Sequence, residues 1–141
     1  MTEPPAPGPS PSGPSPGDED ARRRAAMVEA VATEVLWTNR DLGKAVLDQR
    51  VMAALGSVPR HEFVPQGMRD QAYENRPLPI GHHQTISQPY IVAVMTDLLH
   101  PRPADRVLEI GPGCGYQAAV LAGLVAKAYS VALWVRNERW V

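Results

Sequence analysis

Apolar side chains recur at helical spacing in the first half of the chain, which predicts amphipathic helices there. Between Ala21 and Leu36, one helical face is formed by Met27, Val31 and Val35. The segment Asp41 to Gly43 should break this helix. Asp48 is a candidate N-cap for a short second helix that ends at Gly56. The residues of this helix that should point inward are Val51, Met52 and Leu55.

The period is lost between Pro59 and Gly81, a stretch with four prolines, so an extended, irregular connection is predicted. The helical period returns at Pro89, which suits a first helical turn. Ser87 lies just ahead of it as a candidate cap. The apolar stripe of this helix, which should pack on a sheet, comprises Ile91, Val94, Met95, Leu98 and Leu99. Pro101 and Pro103 should end it.

A βαβ unit is predicted from Arg106 onward. A short buried strand from Arg106 to Ile110 leads into a turn from Gly111 to Gly115, and a helix follows from Tyr116 to Ala126. The inward face of this helix should comprise Tyr116, Ala119, Val120, Gly123 and Leu124. A second strand is expected from Tyr129 to Val135, parallel to the first through a right-handed crossover. Ligands of such folds bind beyond the carboxyl ends of the strands, where the turn lies.

Composition and charge remove several other classes of function. Residues 1–20 contain seven prolines, three glycines and three serines, and we expect this tail to be disordered. It lacks the features of a secretory signal, and no apolar stretch approaches the ~18 residues of a membrane span. The net charge of -1 provides no electrostatic field that would attract nucleic acid. The basic run Arg22–Arg24 follows an acidic triplet, which offsets its charge. With Cys114 as its only cysteine, the chain is predicted to be a soluble, cytoplasmic protein.

The alternating glycines Gly111, Gly113 and Gly115 suggest a cofactor turn. Glycine is needed where the backbone takes positive φ or where a ligand presses against it. A dinucleotide fingerprint would place its third glycine three residues after the second, so the spacing disfavours a nicotinamide-binding module and favours a nucleoside without a pyrophosphate. A tight turn with no ligand is the alternative. The four histidines and Cys114 show no metal-ligand spacing, and Cys114 is expected to pack in the turn.

Several separate motifs in the correct order resemble the protein-L-isoaspartate O-methyltransferase family. They are His61–Pro65, Pro77–Ile80, Gln84–Asp97 and Val107–Leu121, within a similarity running from about Arg50 to Val131. The resemblance implies an α/β fold: N-terminal helices followed by the first βαβ unit of a Rossmann-like, seven-stranded methyltransferase sheet. It also implies repair of damaged proteins, by transfer of a methyl group from S-adenosyl-L-methionine to the α-carboxyl of L-isoaspartyl residues.

The resemblance implies roles for individual residues. Ser87 corresponds to the active-site serine, whose hydroxyl holds the substrate carboxylate, although a helix cap is its alternative role. The residues implied to line the cofactor pocket are Gln84, Thr85, Ile86, Ser87, Glu109, Gly111, Gly113 and Gly115. For Glu109, contact with the methionine amine of the cofactor and a purely structural role at the strand end are both open. The implied partners are isoaspartyl peptides and proteins, with no nucleic acid and no membrane, and the completed enzyme would be a monomer.

Two departures from the family pattern limit these implications. Family members carry an acid at the end of the second strand that binds the ribose hydroxyls, whereas this chain has Ala132, and His83 stands where a small residue is usual. The expected regions are a tail at 1–20, an N-terminal helical and extended region with the active-site loop at 21–104, and an incomplete S-adenosylmethionine-binding domain at 105–141. Because the similarity stops at Ala132, the alternative is a truncated or frameshifted, non-catalytic remnant of that family, at most a weak ligand- or partner-binding fragment.

Overall fold

The computed structural model describes residues 16–132, in which helices precede a hairpin and a βαβ unit. The helices are α1 (Pro16–Trp37), α2 (Asn39–Leu42), α3 (Gln49–Ser57), α4 (Pro89–Leu98) and α5 (Tyr116–Ala122), with 3₁₀ helices at Arg60–Phe63 and Gln66–Gln71. The strands are β1 (Leu78–Gly81), β2 (Gln84–Ile86), β3 (Arg106–Ile110) and β4 (Lys127–Val131). Most of the predicted tail, and the predicted end of the second strand at Val135, lie outside the described residues.

Helix α1 begins at Pro16, so the prediction of a disordered tail is wrong for residues 16–20. Proline is favourable in a first helical turn, where its missing N–H costs nothing. Asp18 and Glu19 follow, and negative charge near a helix N-terminus interacts favourably with the backbone dipole. The Arg23 guanidinium also donates a 2.9 Å hydrogen bond to the Glu19 carboxylate one turn earlier. These local interactions extend the helix beyond its apolar face.

Helix α3 begins as the sequence predicts, with Asp48 as its N-cap. The Asp48 carboxylate accepts a 2.8 Å hydrogen bond from the Arg50 backbone N–H, and the Arg50 side chain donates to the same group. Both interactions hold the pKa of Asp48 below its ordinary value. Val51 and Leu55 are buried, while Met52 is only partly buried.

The segment after Pro59 is not the extended connection that its prolines suggest. It forms two 3₁₀ helices and then a hairpin of β1 and β2, in which Leu78 pairs with Ile86. The two-residue turn consists of His82 and His83, whose φ angles are 49° and 59°. Neither histidine is therefore extended. Positive φ at both turn positions matches the twist of the hairpin, although non-glycine residues rarely adopt it.

Helix α4 starts at Pro89, as predicted, but it turns a different face inward. Its buried residues include Val92, Ala93, Thr96 and Asp97, and it packs against α1 and α3. Four residues of the predicted apolar stripe are instead exposed: Ile91, Met95, Leu98 and Leu99. Asp97 can be buried because its carboxylate accepts from both Lys44 and the Asp48 backbone N–H. Ser87 makes no cap; the Asn75 side chain accepts the Tyr90 backbone N–H at 2.9 Å instead.

Strands β3 and β4 are parallel, which confirms the predicted βαβ unit. Strand β3 was predicted to be buried, but its residues Leu108 and Ile110 are 59% and 79% exposed. Helix α5 ends at Ala122, four residues before the predicted end. The next two backbone N–H groups bond three residues back, which tightens the last turn before β4. Tyr116, Val120 and Leu124 are buried as predicted, whereas Ala119 is only partly buried and Gly123 is exposed.

One hydrophobic core joins the helices, the hairpin and the βαβ unit. It includes Met27 and Val31 of α1, Leu55 of α3, Ile86 of β2 and Val120 of α5. Because these residues come from segments far apart in sequence, the core fixes the loop after β2 against the turn after β3. No helix between residues 16 and 132 is both long and apolar enough to cross a membrane.

Candidate functional site

A cavity of about 400 Å³ lies where the loop after β2 meets the turn after β3. Six of the eight residues expected at the site line it: Thr85, Ile86, Ser87, Glu109, Gly111 and Gly113. The other two lie beside it rather than in its wall. Gln84 is an exposed residue at the start of β2, and Gly115 precedes α5 as its N-cap. The structure thus brings together two segments that are more than twenty residues apart in sequence.

A second cavity, of about 510 Å³, lies between α3 and the connection from α5 to β4. None of the predicted site residues lines it. The one charged residue in its wall is Arg50, whose guanidinium already bonds to the Asp48 carboxylate and the Pro101 carbonyl. The wall is otherwise apolar except for Ser57, so this cavity offers little for recognition of a polar ligand.

The turn after β3 requires glycine for its backbone conformation. Gly111, Gly113 and Gly115 have φ angles of 76°, 56° and 86°, a region that L side chains rarely adopt. A Cβ added at any of these positions would meet no atom within 4 Å. The first glycine is further fixed because its backbone N–H donates to the Val131 carbonyl at 2.9 Å. The backbone of the turn is therefore open to a ligand that approaches from the cavity.

Ser87 lies in the cavity wall between the end of β2 and the start of α4. It is exposed, and no hydrogen bond to its hydroxyl is formed by residues 16–132. The alternative role as a helix cap is thus not realised, because no side chain of the N-cap residue or its neighbour Ser87 caps α4. The backbone carbonyl of Ser87, by contrast, accepts a 2.8 Å hydrogen bond from Arg60. The backbone is held while the hydroxyl is available.

Among residues 16–132, Glu109 is the only one that contributes a carboxylate to the cavity wall. One of its oxygens accepts a hydrogen bond from the Ser130 hydroxyl at 3.0 Å, across the paired strands. This bond supports a structural role, and the position of Glu109 in the wall is compatible with a ligand contact as well. A carboxylate has two oxygens and can accept several donors at once.

Two polar residues of the cavity wall, Thr96 and Gln117, were not predicted from the sequence. The Gln117 amide donates a 2.7 Å hydrogen bond to the Thr96 hydroxyl, and Thr96 donates in turn to the Val92 carbonyl. Thr96 is only 1% exposed. A polar residue such as Thr96 on the inward face of a helix indicates a buried hydrogen bond. The sequence did not reveal this, because the predicted apolar stripe of α4 lies on the opposite face.

Arg60 is also missing from the sequence-based expectations. Its side chain is fully buried, and its guanidinium carbon lies 4.7 Å from the centroid of the Tyr116 ring. Burial lowers the pKa of Arg60 and raises that of Tyr116 to about 12, while the charge of Arg60 works against the latter shift. A lone arginine in a proline-rich segment carries no sequence signal for burial, because its partners are carbonyls scattered along the chain.

Cys114 and the histidines take no part in an evident reactive cluster. Burial raises the pKa of the Cys114 thiol above its ordinary value, so the thiol stays neutral and packs against the core. Residues 16–132 contain no group of three or more histidine, cysteine or acidic side chains that could hold a metal ion. The polar groups that line the cavity are hydroxyls, backbone groups, the Gln117 amide and the Glu109 carboxylate.

Comparison with known proteins adds independent findings. Residues 30–136 match the family model described as protein-L-isoaspartate(D-aspartate) O-methyltransferase. The chain is 57% identical over 114 residues to protein-L-isoaspartate O-methyltransferase 1 of Cupriavidus necator, covering 81% of this chain and 44% of the relative. It is also 57% identical over 105 residues to protein-L-isoaspartate O-methyltransferase 2 of a Polaromonas species, covering 74% and 50%. The chain thus spans about half the length of these relatives.

Solved structures show the same likeness. A protein-L-isoaspartate O-methyltransferase superposes with a TM-score of 0.55 and 26% identity, covering 76% of this chain and 35% of the other. A Plasmodium falciparum protein assigned to the same activity, solved in complex with S-adenosyl-L-homocysteine, superposes with a TM-score of 0.54 at 20% identity, covering 82% of this chain and 50% of the other. The predicted fold class is confirmed: N-terminal helices and the first βαβ unit of a Rossmann-like methyltransferase sheet.

Proposed function

Since the chain belongs to the protein-L-isoaspartate(D-aspartate) O-methyltransferase family, we propose that it supplies the cofactor turn and the active-site loop of such an enzyme. The reaction would transfer a methyl group from S-adenosyl-L-methionine to the α-carboxylate of an L-isoaspartyl residue in a damaged protein. The observation that carries this proposal is a cavity whose wall contains both Ser87 and glycines of the turn after β3.

The wall of the cavity suits an adenosine-containing methyl donor. Positive φ and free space at Gly111 and Gly113 let a ligand contact the backbone directly. Thr85 and Ile86 contribute a hydroxyl and an apolar surface on the opposite side. We propose that these residues hold the cofactor together with Glu109, while Gln84 and Gly115 support the loop and the turn from outside the wall. When bound, the cofactor would supply an electrophilic methyl group on a sulfonium centre.

Ser87 would hold the substrate rather than activate it. The α-carboxyl of an isoaspartyl residue has a pKa near ~3.5 and is ionised at neutral pH, so no strong base is required. The hydroxyl of Ser87 can donate a hydrogen bond to one carboxylate oxygen and leave the other free to attack in line. Rate acceleration would come chiefly from this alignment and from exclusion of water.

The end of β4 is the weak point of the proposed cofactor site. Ala132, exposed directly after β4, has no side-chain acceptor for the ribose hydroxyls. A hydrogen bond that is lost from a buried polar group costs roughly 1–3 kcal/mol. Cofactor affinity below that of family members with an acid there is therefore expected.

A second candidate function is a non-catalytic remnant of the family. Ala132 favours this reading, because it offers no side-chain acceptor for the ribose hydroxyls. Such a remnant would bind the cofactor weakly or not at all.

We propose that residues 21–104 carry the active-site loop and that residues 105–141 begin the cofactor-binding domain. The partners would be isoaspartyl peptides and proteins in the cytoplasm, with no nucleic acid and no membrane, and the complete enzyme would act as a monomer.

Calorimetric titration of the 141-residue chain with S-adenosyl-L-homocysteine tests the cofactor site. Incubation with labelled S-adenosyl-L-methionine and an isoaspartyl peptide tests the reaction, with the matching aspartyl peptide as a control. We expect the chain to bind S-adenosyl-L-homocysteine. We expect Ser87→Ala to reduce methyl transfer while it retains cofactor binding. Ser57→Ala, which lies outside this cavity, is the matched control. Absence of binding would reject the enzyme in favour of the remnant, and unchanged methylation by Ser87→Ala would reject the role of Ser87.

A further inference from the structure

The loop that carries Ser87 is held by side chains from elsewhere in the fold. Ser87 follows the last residue of β2 and precedes α4 by two residues, so neither element fixes it through regular backbone bonds. On one side, the Gln88 amide donates to the Glu34 carboxylate at 3.0 Å and to the Asn75 carbonyl at 3.0 Å. On the other side, the Ser87 carbonyl itself is bound by Arg60.

Arg60 uses its guanidinium to join backbone carbonyls instead of pairing with an acid. Its Nε donates to the Ala72 carbonyl at 2.8 Å, and one terminal nitrogen donates to the Ser87 carbonyl at 2.8 Å and to the Arg76 carbonyl at 3.4 Å. The side chain is 0% exposed, and no carboxylate among the described residues bridges it. The other terminal nitrogen, Nη1, is buried without a hydrogen-bond partner among the described residues. Burying a charge is costly unless strong hydrogen bonds compensate, so the position of the guanidinium depends on the carbonyls that Nε and Nη2 contact.

The same guanidinium also contacts the other wall of the cavity. It lies over the ring of Tyr116, 4.7 Å from its centroid, and Tyr116 is the first residue of α5 directly after the glycine turn. Tyr116 is 1% exposed and lines the cavity. Arg60 thus touches both the backbone of Ser87 and the residue that follows the glycine turn.

We infer that Arg60 is a positioning residue: it fixes the Ser87 carbonyl relative to the Tyr116 ring and so sets the distance between the active-site loop and the cofactor turn. The inference rests on the proposed function for its role in the reaction. Its structural content, the link from Arg60 to Ser87, can be tested without any activity.

The test measures backbone ¹⁵N relaxation of the full 141-residue chain by NMR. In the wild type, the Ser87 amide should have an order parameter near ~0.85, and in Arg60→Lys it should fall below ~0.6. Lysine keeps the charge, but its ammonium cannot reproduce the planar fork that reaches separate carbonyls. The amide of Leu108 in β3 should stay rigid in both chains. Arg69→Lys, at an exposed arginine of the second 3₁₀ helix, is the matched control and should change neither amide.

A second variant approaches the link from its other end. Tyr116→Leu removes the aromatic face under the guanidinium, so Ser87 should gain mobility, whereas Tyr116→Phe keeps the face and should leave Ser87 ordered. If Ser87 is already mobile in the wild type, or stays rigid in both Arg60→Lys and Tyr116→Leu, the inference is wrong. A loss of order spread evenly over Ser87 and Leu108 would assign Arg60 to general stability and would also overturn it.

Titration with S-adenosyl-L-homocysteine separates this inference from the proposed function. A wild type with ordered Ser87 that does not bind the compound rejects the function and leaves the link intact. A chain that binds it while Ser87 stays ordered in both Arg60→Lys and Tyr116→Leu rejects the link alone. Where methyl transfer is measurable, kcat of Arg60→Lys should fall about tenfold or more, because small misplacements of reacting groups are costly, with KM for the cofactor unchanged.

Discussion

The buried guanidinium of Arg60 lies over the ring of Tyr116, with 4.7 Å between the guanidinium carbon and the ring centroid. The Tyr116 hydroxyl is buried without a hydrogen-bond partner among the described residues. Burial raises the pKa of Tyr116 to about 12, because an ionised phenolate would lose its hydration. The positive charge of Arg60 favours the phenolate and offsets only part of this rise in the pKa of Tyr116.

The shift predicts a loss of stability in alkaline solution. The unfolded chain releases the Tyr116 proton near pH 10 and the folded chain only near pH 12, so the stabilisation is complete below pH 10 and is lost as the pH rises to 12. The free energy of unfolding should fall by about 1.4 kcal/mol per pH unit in this window relative to Tyr116→Phe. Urea denaturation of both chains at pH 9.5 and 11.5 checks this, and parallel curves for the two would contradict it.

The hairpin turn predicts a stabilising substitution. His83 has a φ of 59°, and a non-glycine residue pays roughly 1–2 kcal/mol in this region. His83→Gly should therefore raise the free energy of unfolding by about 0.5–1 kcal/mol, after the entropy that glycine adds to the unfolded chain. Gln84→Gly, at the adjacent β2 position without positive φ, should lower stability. Urea denaturation measures both, and a destabilised His83→Gly would show that the imidazole makes a compensating contact.

The end of β4 predicts a gain in ligand affinity. Ala132→Glu introduces a carboxylate acceptor next to the proposed cofactor site, and affinity for S-adenosyl-L-homocysteine should rise about tenfold. Ala126→Glu, at an exposed position before β4, is the control and should leave the affinity unchanged. Calorimetry decides the question. Equal affinities for Ala132→Glu and the wild type would remove Ala132 as the weak point of the site.

The orientation of α4 predicts different responses on its two faces. Val92 is 2% exposed, and Val92→Ala should cost about 1–3 kcal/mol because it leaves a space in the core. Leu98 is 54% exposed, and Leu98→Gln should change stability by less than about 0.5 kcal/mol. Thermal or urea unfolding compares the variants. A large loss for Leu98→Gln would mean that the exposed stripe is covered in solution.

Local chemistry made several elements predictable from sequence. Asp48 caps α3 because a short acidic side chain reaches the free N–H groups of a first turn, and Pro89 starts α4 because its ring suits that position. The glycine turn was predictable for a similar reason, since Gly111 and Gly113 adopt φ angles that other residues avoid. Each of these interactions involves neighbours in sequence.

Tertiary partners decided what could not be predicted. The stripe of α4 that contains Met95 and Leu98 is more apolar than the face that the helix buries, which contains Asp97. Asp97 can be buried because the Lys44 ammonium pairs with its carboxylate and the Asp48 backbone N–H donates a hydrogen bond to it. Arg60 is buried by carbonyls that lie 12 to 27 positions away. Periodicity contains no information about such distant acceptors.

The contact between the Gly111 N–H and the Val131 carbonyl connects the turn to the last residue of β4. The turn reaches its final shape only when the second strand has paired with the first, so ligand binding and strand pairing are thermodynamically linked. A ligand that selects the paired form stabilises it by RT ln(1 + [L]/Kd), which is about 2.7 kcal/mol at a hundredfold excess over Kd. Hydrogen exchange of the β4 amides would then slow by the factor 1 + [L]/Kd, so the second strand itself reports on events in the cavity.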